Sequence, residues 1–216
     1  PFFSVSTFGQ VAINYANSNI FLFMGGFFIA IAMQKWGLHR RIALHLVYHI
    51  GSSPRRIVLG FMVATAFLSM WISNTATTMM MYPIGLAIIL HLAENHEQGG
   101  NSAGQAMLNF RTALMLGIAY AASIGGIATL VGTPPNIVFV SAVSRLYPQA
   151  PEISFVSWLL VGLILVCVFL PICWLVITAV VFKIGKGALS GVRELLRELI
   201  DKLGPMQRPE KMVAIV

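Results

Sequence analysis

Charge is what this sequence has least of. Only 10% of its 216 residues are Asp, Glu, Lys or Arg, against roughly 25% in an ordinary soluble domain. Acidic residues are scarcer still, 7 against 14 basic ones. No Asp, Glu, Lys or Arg falls between Arg56 and Glu94, or between Arg111 and Arg145. Carriers that move protons commonly keep a carboxylate or His inside the membrane, so a purely acidic proton relay is disfavoured. There are two cysteines, Cys167 and Cys173, in one apolar run. Six apart on a helix, they do not share a face, which argues against a disulfide or a metal pair. His45 and His49 stand at i, i+4 but have no carboxylate or Cys beside them, so they read as an interfacial helix face. No nucleophile–base pair or metal constellation occurs in the apolar spans, and an enzyme is not expected.

What is present is apolar. Hydrophobic residues make up 57% of the chain and the mean hydropathy is +0.82, which predicts an all-α integral membrane protein. The formal charge of +7 and a pI near 9.9 then point to basic cytoplasmic loops rather than to nucleic acid. The first span, Asn19 to Gln34, ends at the basic, Trp-containing stretch Lys35 to Arg41. A shorter helix is predicted over Ile42 to Ile50. An apolar run from Ile57 to Leu92 is broken once, at Ser73-Asn74-Thr75-Ala76-Thr77-Thr78. Each arm offers only about 15 apolar residues, where a crossing needs ~20, so a re-entrant helical hairpin is expected. A hydrophilic loop over Glu94 to Gly104 follows. The next segment starts at Phe110-Arg111 and is interrupted at Gly125-Gly126 and again at Gly132-Thr133-Pro134-Pro135-Asn136. Phe155 to Phe182 is the longest span, and Leu189 to Leu203 reads as an amphipathic surface helix. The chain opens on Pro1 without a signal-peptide pattern and closes on the apolar Met212 to Val216, and is read as an excerpt of a longer protein.

Topology follows from the basic residues. If residues 35–56, 94–111 and 183–211 are cytoplasmic, only Arg145 of the 14 Lys and Arg lies outside; the opposite orientation would reverse that count. A multi-pass protein of the cell membrane is expected, with membrane lipid around it.

The two breaks are where function is sought. Interrupted helices at membrane depth expose backbone that is tolerated only when buried in protein or lining a cavity. Helix N-termini favour anions, and terminal carbonyls can hold cations. Ser69 lies one turn before Ser73 and Asn74 on the same face, while Asn74 and Thr75 are expected to cap the second arm. In the other break, Gly132 permits close approach, and Pro134 and Pro135 let a helix restart before Asn136. A capped turn at the first break and a plain proline kink at the second are the alternatives. The oxygens at depth are neutral, which suits a hard cation such as Na⁺.

Ser73-Asn74-Thr75 in a hairpin, followed by Gly132-Thr133-Pro134-Pro135-Asn136, resembles the divalent anion/sodium symporter family of dicarboxylate, citrate and sulfate carriers. The runs Phe21 to Phe27, Lys35 to Arg41 and Leu203-Gly204-Pro205-Met206 are similar to that family too. The resemblance implies one of two inverted repeats of an elevator-type transporter that works as a homodimer. It implies a sodium site at Ser69, Ser73, Asn74 and Gly132, and a substrate site at Asn74, Thr75 and Thr133. Residues 1–54 would be scaffold and dimer contact, 55–93 the hairpin and 105–146 the discontinuous helix of a transport domain. Residues 153–186 would be a scaffold span, 187–204 a cytoplasmic helix, and 205–216 the start of the next segment. The missing C-terminal repeat would leave half a substrate site, so the excerpt alone is not expected to transport. The expected activity is sodium-coupled import of a small divalent anion, foremost a C4-dicarboxylate. A sodium-independent exchanger, a sulfate or other inorganic-anion carrier, and a non-transporting scaffold or channel-like protein are the other readings.

Overall fold

A computed structural model describes residues 18–51, 53–96, 101–185 and 192–215. The sequence expectations for residues 1–17 and 187–191, and for Lys186, lie outside these. Every regular element among the described residues is helical: α1 (Ser18–Lys35), α2 (Leu38–Ile50), α3 (Pro54–Ser69), α4 (Asn74–His96), α5 (Asn101–Gly126), α6 (Pro134–Leu146), α7 (Phe155–Leu175), α8 (Val192–Asp201) and α9 (Arg208–Ile215). A π-helical turn, Val176–Val181, prolongs α7.

Four boundaries differ from the sequence expectation. The second helix starts at Leu38 rather than Ile42, because Gly37 adopts a left-handed conformation (φ 71°) that ends α1 and lets α2 begin at once. The arm α4 has 23 residues rather than about 15, since it runs on through Glu94, Asn95 and His96. By length and composition it could cross a membrane, as could Gly104–Gly126 and Phe155–Val181. The loop expected over Glu94 to Gly104 is helical at both ends. Gly125-Gly126 does not interrupt α5 but forms its last turn.

The core lies between α3 and its neighbours. Ile57, Val58, Phe61, Met62 and Leu68 of α3 are fully buried, with Leu114, Ile118 and Ala121 of α5, Leu44 and Val47 of α2 and Ile88 of α4. Glycines set the close crossings. A Cβ on Gly60 would lie 3.1 Å from Val47 Cα, and one on Gly117 would lie 3.2 Å from Met62 Cγ. The order of these contacts fixes the directions. Along α3 and α5, Met62 meets Gly117 and Ala66 meets Gly125, so these helices run the same way. The arm α4 returns, with Asn74 beside Gly126 and Gly85 beside Ile118.

The bundle therefore has two distinct ends. At the basic end, Arg55 Nε donates to Ile184 O (2.6 Å), Trp174 Nε1 to Arg55 O (2.9 Å) and Asn109 Nδ2 to Phe182 O (3.1 Å). At the other end, about 24 Å along the 16 residues of α3, lie the α3–α4 turn, the end of α5 and the start of α7. There Trp158 Nε1 donates to Ile127 O (3.0 Å), and a Cβ on Gly162 would lie 2.7 Å from Ala128 O. Much of α7 is exposed, including Val156, Leu160, Ile164 and Phe169, as suits a helix that faces lipid or further protein.

Candidate functional site

The first break is a four-residue turn between Ser69 and Asn74. The end of α3 tightens, with Trp71 N–H and Ile72 N–H both donating to Leu68 O (3.1 and 3.0 Å). The next arm is capped by Ser73, not by Asn74 or Thr75 as expected. Ser73 Oγ accepts from Ala76 N–H (3.4 Å), and Ser73 O accepts from Thr77 N–H (2.9 Å). Helix α4 starts one residue earlier than the capping argument assumed, so Asn74 already lies inside it. That shift releases the Asn74 side chain for other partners. Among the described residues the N–H groups of Asn74 and Thr75 have no acceptor, and the exposed Thr75 hydroxyl has no partner.

Ser69 is fully buried. Its hydroxyl oxygen lies 2.7 Å from Asn74 Oδ1 and 2.7 Å from Ala122 O. A hydroxyl has one proton to donate, so it serves one of these oxygens at a time and leaves the cluster rich in lone pairs. With the amide oriented this way, three oxygens from α3, α4 and α5 converge without any formal charge. Such a donor set matches a hard monovalent cation.

The second break lies directly against this cluster. A Cβ on Gly126 would sit 2.2 Å from Asn74 Oδ1, and one on Gly132 would sit 2.6 Å from Gly126 O and 3.0 Å from Ser69 O. Both glycines are needed because no side chain fits between the two breaks. The Asn136 amide donates to Gly126 O (2.9 Å), a carbonyl that the end of α5 leaves open, and to Thr129 O (2.8 Å) in the turn that follows. Pro134 and Pro135 occupy the first positions of α6. They have no N–H, and Asn136 N–H is used by Thr133 O (3.1 Å). The start of α6 therefore offers an anion its dipole but few free donors, contrary to the simple helix-terminus expectation. Thr133 makes no side-chain cap bond, and its hydroxyl is without a partner among the described residues.

Thr129 joins the two breaks, and the sequence did not single it out. Fully buried, it donates to Met70 O in the hairpin turn and accepts from Gly132 N–H (3.0 Å). Its position in the run Ile127 to Val131 hid it. Thr129→Val keeps the shape but takes the donor from Met70 O and leaves Gly132 N–H only its longer bond to Thr129 O (3.4 Å), a loss of about 1–3 kcal/mol. We expect Thr129→Val to lower thermal stability while Thr129→Ser stays near wild type; equal behaviour of the two would rule out the hydroxyl's role.

The site thus brings together Ser69, Asn74 and Gly132 from the sequence set, with Ser73 in the turn holding the start of α4. Thr75 and Thr133 carry free hydroxyls at the starts of α4 and α6. An apolar recess of about 730 Å³ lies beside the break, between α6 and α7. Among its lining side chains Asn136, Ser157 and Trp158 alone are polar, and the Asn136 amide hydrogens are already used, so it does not suit a dianion.

The citrate transporter family matches residues 1–214. A sodium-dependent dicarboxylate transporter, SdcS, of Staphylococcus saprophyticus is 44% identical over 207 residues, covering 96% of this chain and 39% of the relative. The protein of the same name from Staphylococcus aureus is 44% identical over 217 residues, covering 100% of this chain and 41% of the relative. The chain thus spans about two-fifths of the length of these relatives.

Proposed function

The chain belongs to the citrate transporter family, and on that premise we propose that it forms part of a secondary transporter that imports a small dicarboxylate together with Na⁺. One observation carries this reading: two interrupted helices meet at a cluster of neutral oxygens, Ser69 Oγ, Asn74 Oδ1 and Ala122 O. The names of the relatives, sodium-dependent dicarboxylate transporters, support both the ion and the substrate class.

In this reading Na⁺ is a co-substrate bound by the oxygens of Ser69 and Asn74 and by backbone near Gly132, with Ser73 holding the turn. The anion sits on the opposite side of Asn74, against the free N–H groups of Asn74 and Thr75 and the hydroxyls of Thr75 and Thr133. The Asn74 amide has an oxygen for the cation and an NH₂ for the anion. The cation fixes the orientation of that amide and supplies positive charge, so each ligand raises the affinity for the other.

Transport follows the elevator scheme, with the hairpin and the α5–α6 unit moving past residues 1–54, which remain scaffold and homodimer contact. The other repeat supplies the rest of the substrate site. We read α7 as moving with the hairpin rather than as scaffold. Hydrogen bonds tie it at both ends, from Trp174 to Arg55 O, from Asn109 to Phe182 O and from Trp158 to Ile127 O, and sliding would break them. The segments 35–56, 94–111 and 183–211 face the cytoplasm, and Arg145 sits at the far end of α6.

Succinate uptake by the full-length protein in proteoliposomes tests this. Replacing external sodium by choline is expected to lower uptake roughly 5- to 150-fold. Equal uptake in both buffers would sink sodium coupling and favour an exchanger. Competition by succinate over citrate and sulfate is the expected substrate order.

A further inference from the structure

The run Phe21 to Phe27 contains two adjacent glycines, and the structure gives them different surroundings. Among the described residues, a Cβ on Gly25 would meet nothing within 4 Å. One on Gly26 would lie 3.1 Å from both Cβ and Cγ1 of Val131 and 3.4 Å from its Cγ2. Carbon atoms in ordinary contact stand about 3.5–4.0 Å apart. Even a methyl group at position 26 would therefore press Val131 back by a few tenths of an ångström. Gly26 is near the middle of α1, and Val131 belongs to the second break, next to Gly132. Small residues let two membrane segments approach this closely, and of the pair Gly26 has that use.

The break is held differently on its two sides. Its hydrogen bonds run toward the hairpin turn, α5 and α7: Thr129 donates to Met70 O, Asn136 to Gly126 O and Trp158 to Ile127 O. Toward α1 the nearest atoms are three carbons of one Val side chain. Valine is stiff at χ1 and has no polar atom, so it neither bonds to α1 nor folds out of its way. Helix α1 itself packs chiefly on α2 and α9. Moving the break away from the hairpin would break buried hydrogen bonds. Moving it along α1 would break none of these, and with no side chain at position 26 there is no ridge to interlock with Val131.

We infer that Gly26 is a positioning residue for transport, a smooth notch in α1 past which Val131 and the second break travel. It touches neither the ion nor the substrate. The inference rests on the elevator reading above and names a place where the moving unit bears on residues 1–54.

The test uses the full-length protein in proteoliposomes, freed of its native cysteines, Cys167→Ser and Cys173→Ser among them, and carrying Gly26→Cys with Val131→Cys. A disulfide needs Cβ atoms about 3.5–4.5 Å apart, within a few tenths of an ångström of this pair. Oxidation is expected to close the pair and to lower sodium-driven succinate uptake to the level of protein-free vesicles, and dithiothreitol to restore it. Neither single-cysteine variant should respond to the oxidant. Sodium with succinate should change the rate of disulfide formation several-fold, read as protection of the thiols from a maleimide polymer. Full uptake with the disulfide closed would overturn the inference, as would failure of the pair to close in folded protein. If the double variant folds but carries succinate slowly even when reduced, the disulfide rate decides: a rate that responds to sodium and succinate supports the inference, and one that does not overturns it. Absence of sodium-driven uptake by the unmodified protein would instead overturn the transport reading, a result that no outcome in the double variant can mimic.

Discussion

Gly125→Ala is expected to abolish uptake and destabilise the protein, although it adds a single methyl group. The new Cβ would lie 2.2 Å from Ala66 O, 2.5 Å from Ala66 Cα and 2.7 Å from Ala66 C. All three atoms are backbone of α3, so no rotamer change can relieve the contact. The helices must part where the hairpin turn begins, one turn from Ser69. Overpacking of this kind typically costs about 1–3 kcal/mol. The functional loss should be larger, because Ser69 Oγ reaches Ala122 O across the same interface at 2.7 Å. A displacement of about 1 Å can cost a positioned site roughly 100-fold. Gly25→Ala is the control, since nothing lies within 4 Å of that added methyl. Uptake and thermal unfolding of the two variants, measured side by side, decide the matter. Wild-type uptake by Gly125→Ala would mean that α3 and α5 need not approach this closely for function.

How much of this was legible in the sequence depended on the kind of signal. The helices were legible because long charge-free runs leave few alternatives in a bilayer. Both breaks were legible because Ser73-Asn74-Thr75 and Gly132-Thr133-Pro134-Pro135 interrupt those runs with residues of special backbone chemistry. The joining of the breaks was not. Thr129 sits among Ile127, Ala128, Leu130 and Val131 and gives no local sign that it bonds Met70 O, 59 positions away. Gly125-Gly126 was visible but read as an interruption. In a helix of 26 residues the same pair serves close packing instead, and only the position of Ala66 and Asn74 distinguishes these roles. The cap was misplaced for a related reason: Ser73, Asn74 and Thr75 are all good caps, and the start of α4 selects among them. The ion pair of Arg41 and Glu210 (3.2 Å) was equally hidden, since 169 positions separate the two.

Asn74→Ala is expected to remove transport while leaving the fold nearly intact, and the hydrogen bonds explain the separation. The substitution deletes an acceptor of the Ser69 hydroxyl, but Ser69 keeps Ala122 O at the same 2.7 Å. No buried donor is orphaned, so the folding cost stays near ~1 kcal/mol. On the reading proposed above, transport loses the amide on both of its sides, the oxygen assigned to Na⁺ and the NH₂ assigned to the anion. Two hydrogen bonds to charged groups, at about 1.5–3 kcal/mol each, amount to roughly 100-fold or more. Asn74→Asp separates the two roles within one isosteric side chain. A carboxylate there should hold sodium at least as well as the amide, yet repel a dianion brought next to it. Thermal stabilisation by sodium should therefore survive in Asn74→Asp and be lost in Asn74→Ala, while succinate uptake fails in both. Succinate uptake at the wild-type rate by Asn74→Ala would remove this residue from the site. Loss of sodium stabilisation in Asn74→Asp would show that the cation binds elsewhere than beside Ser69.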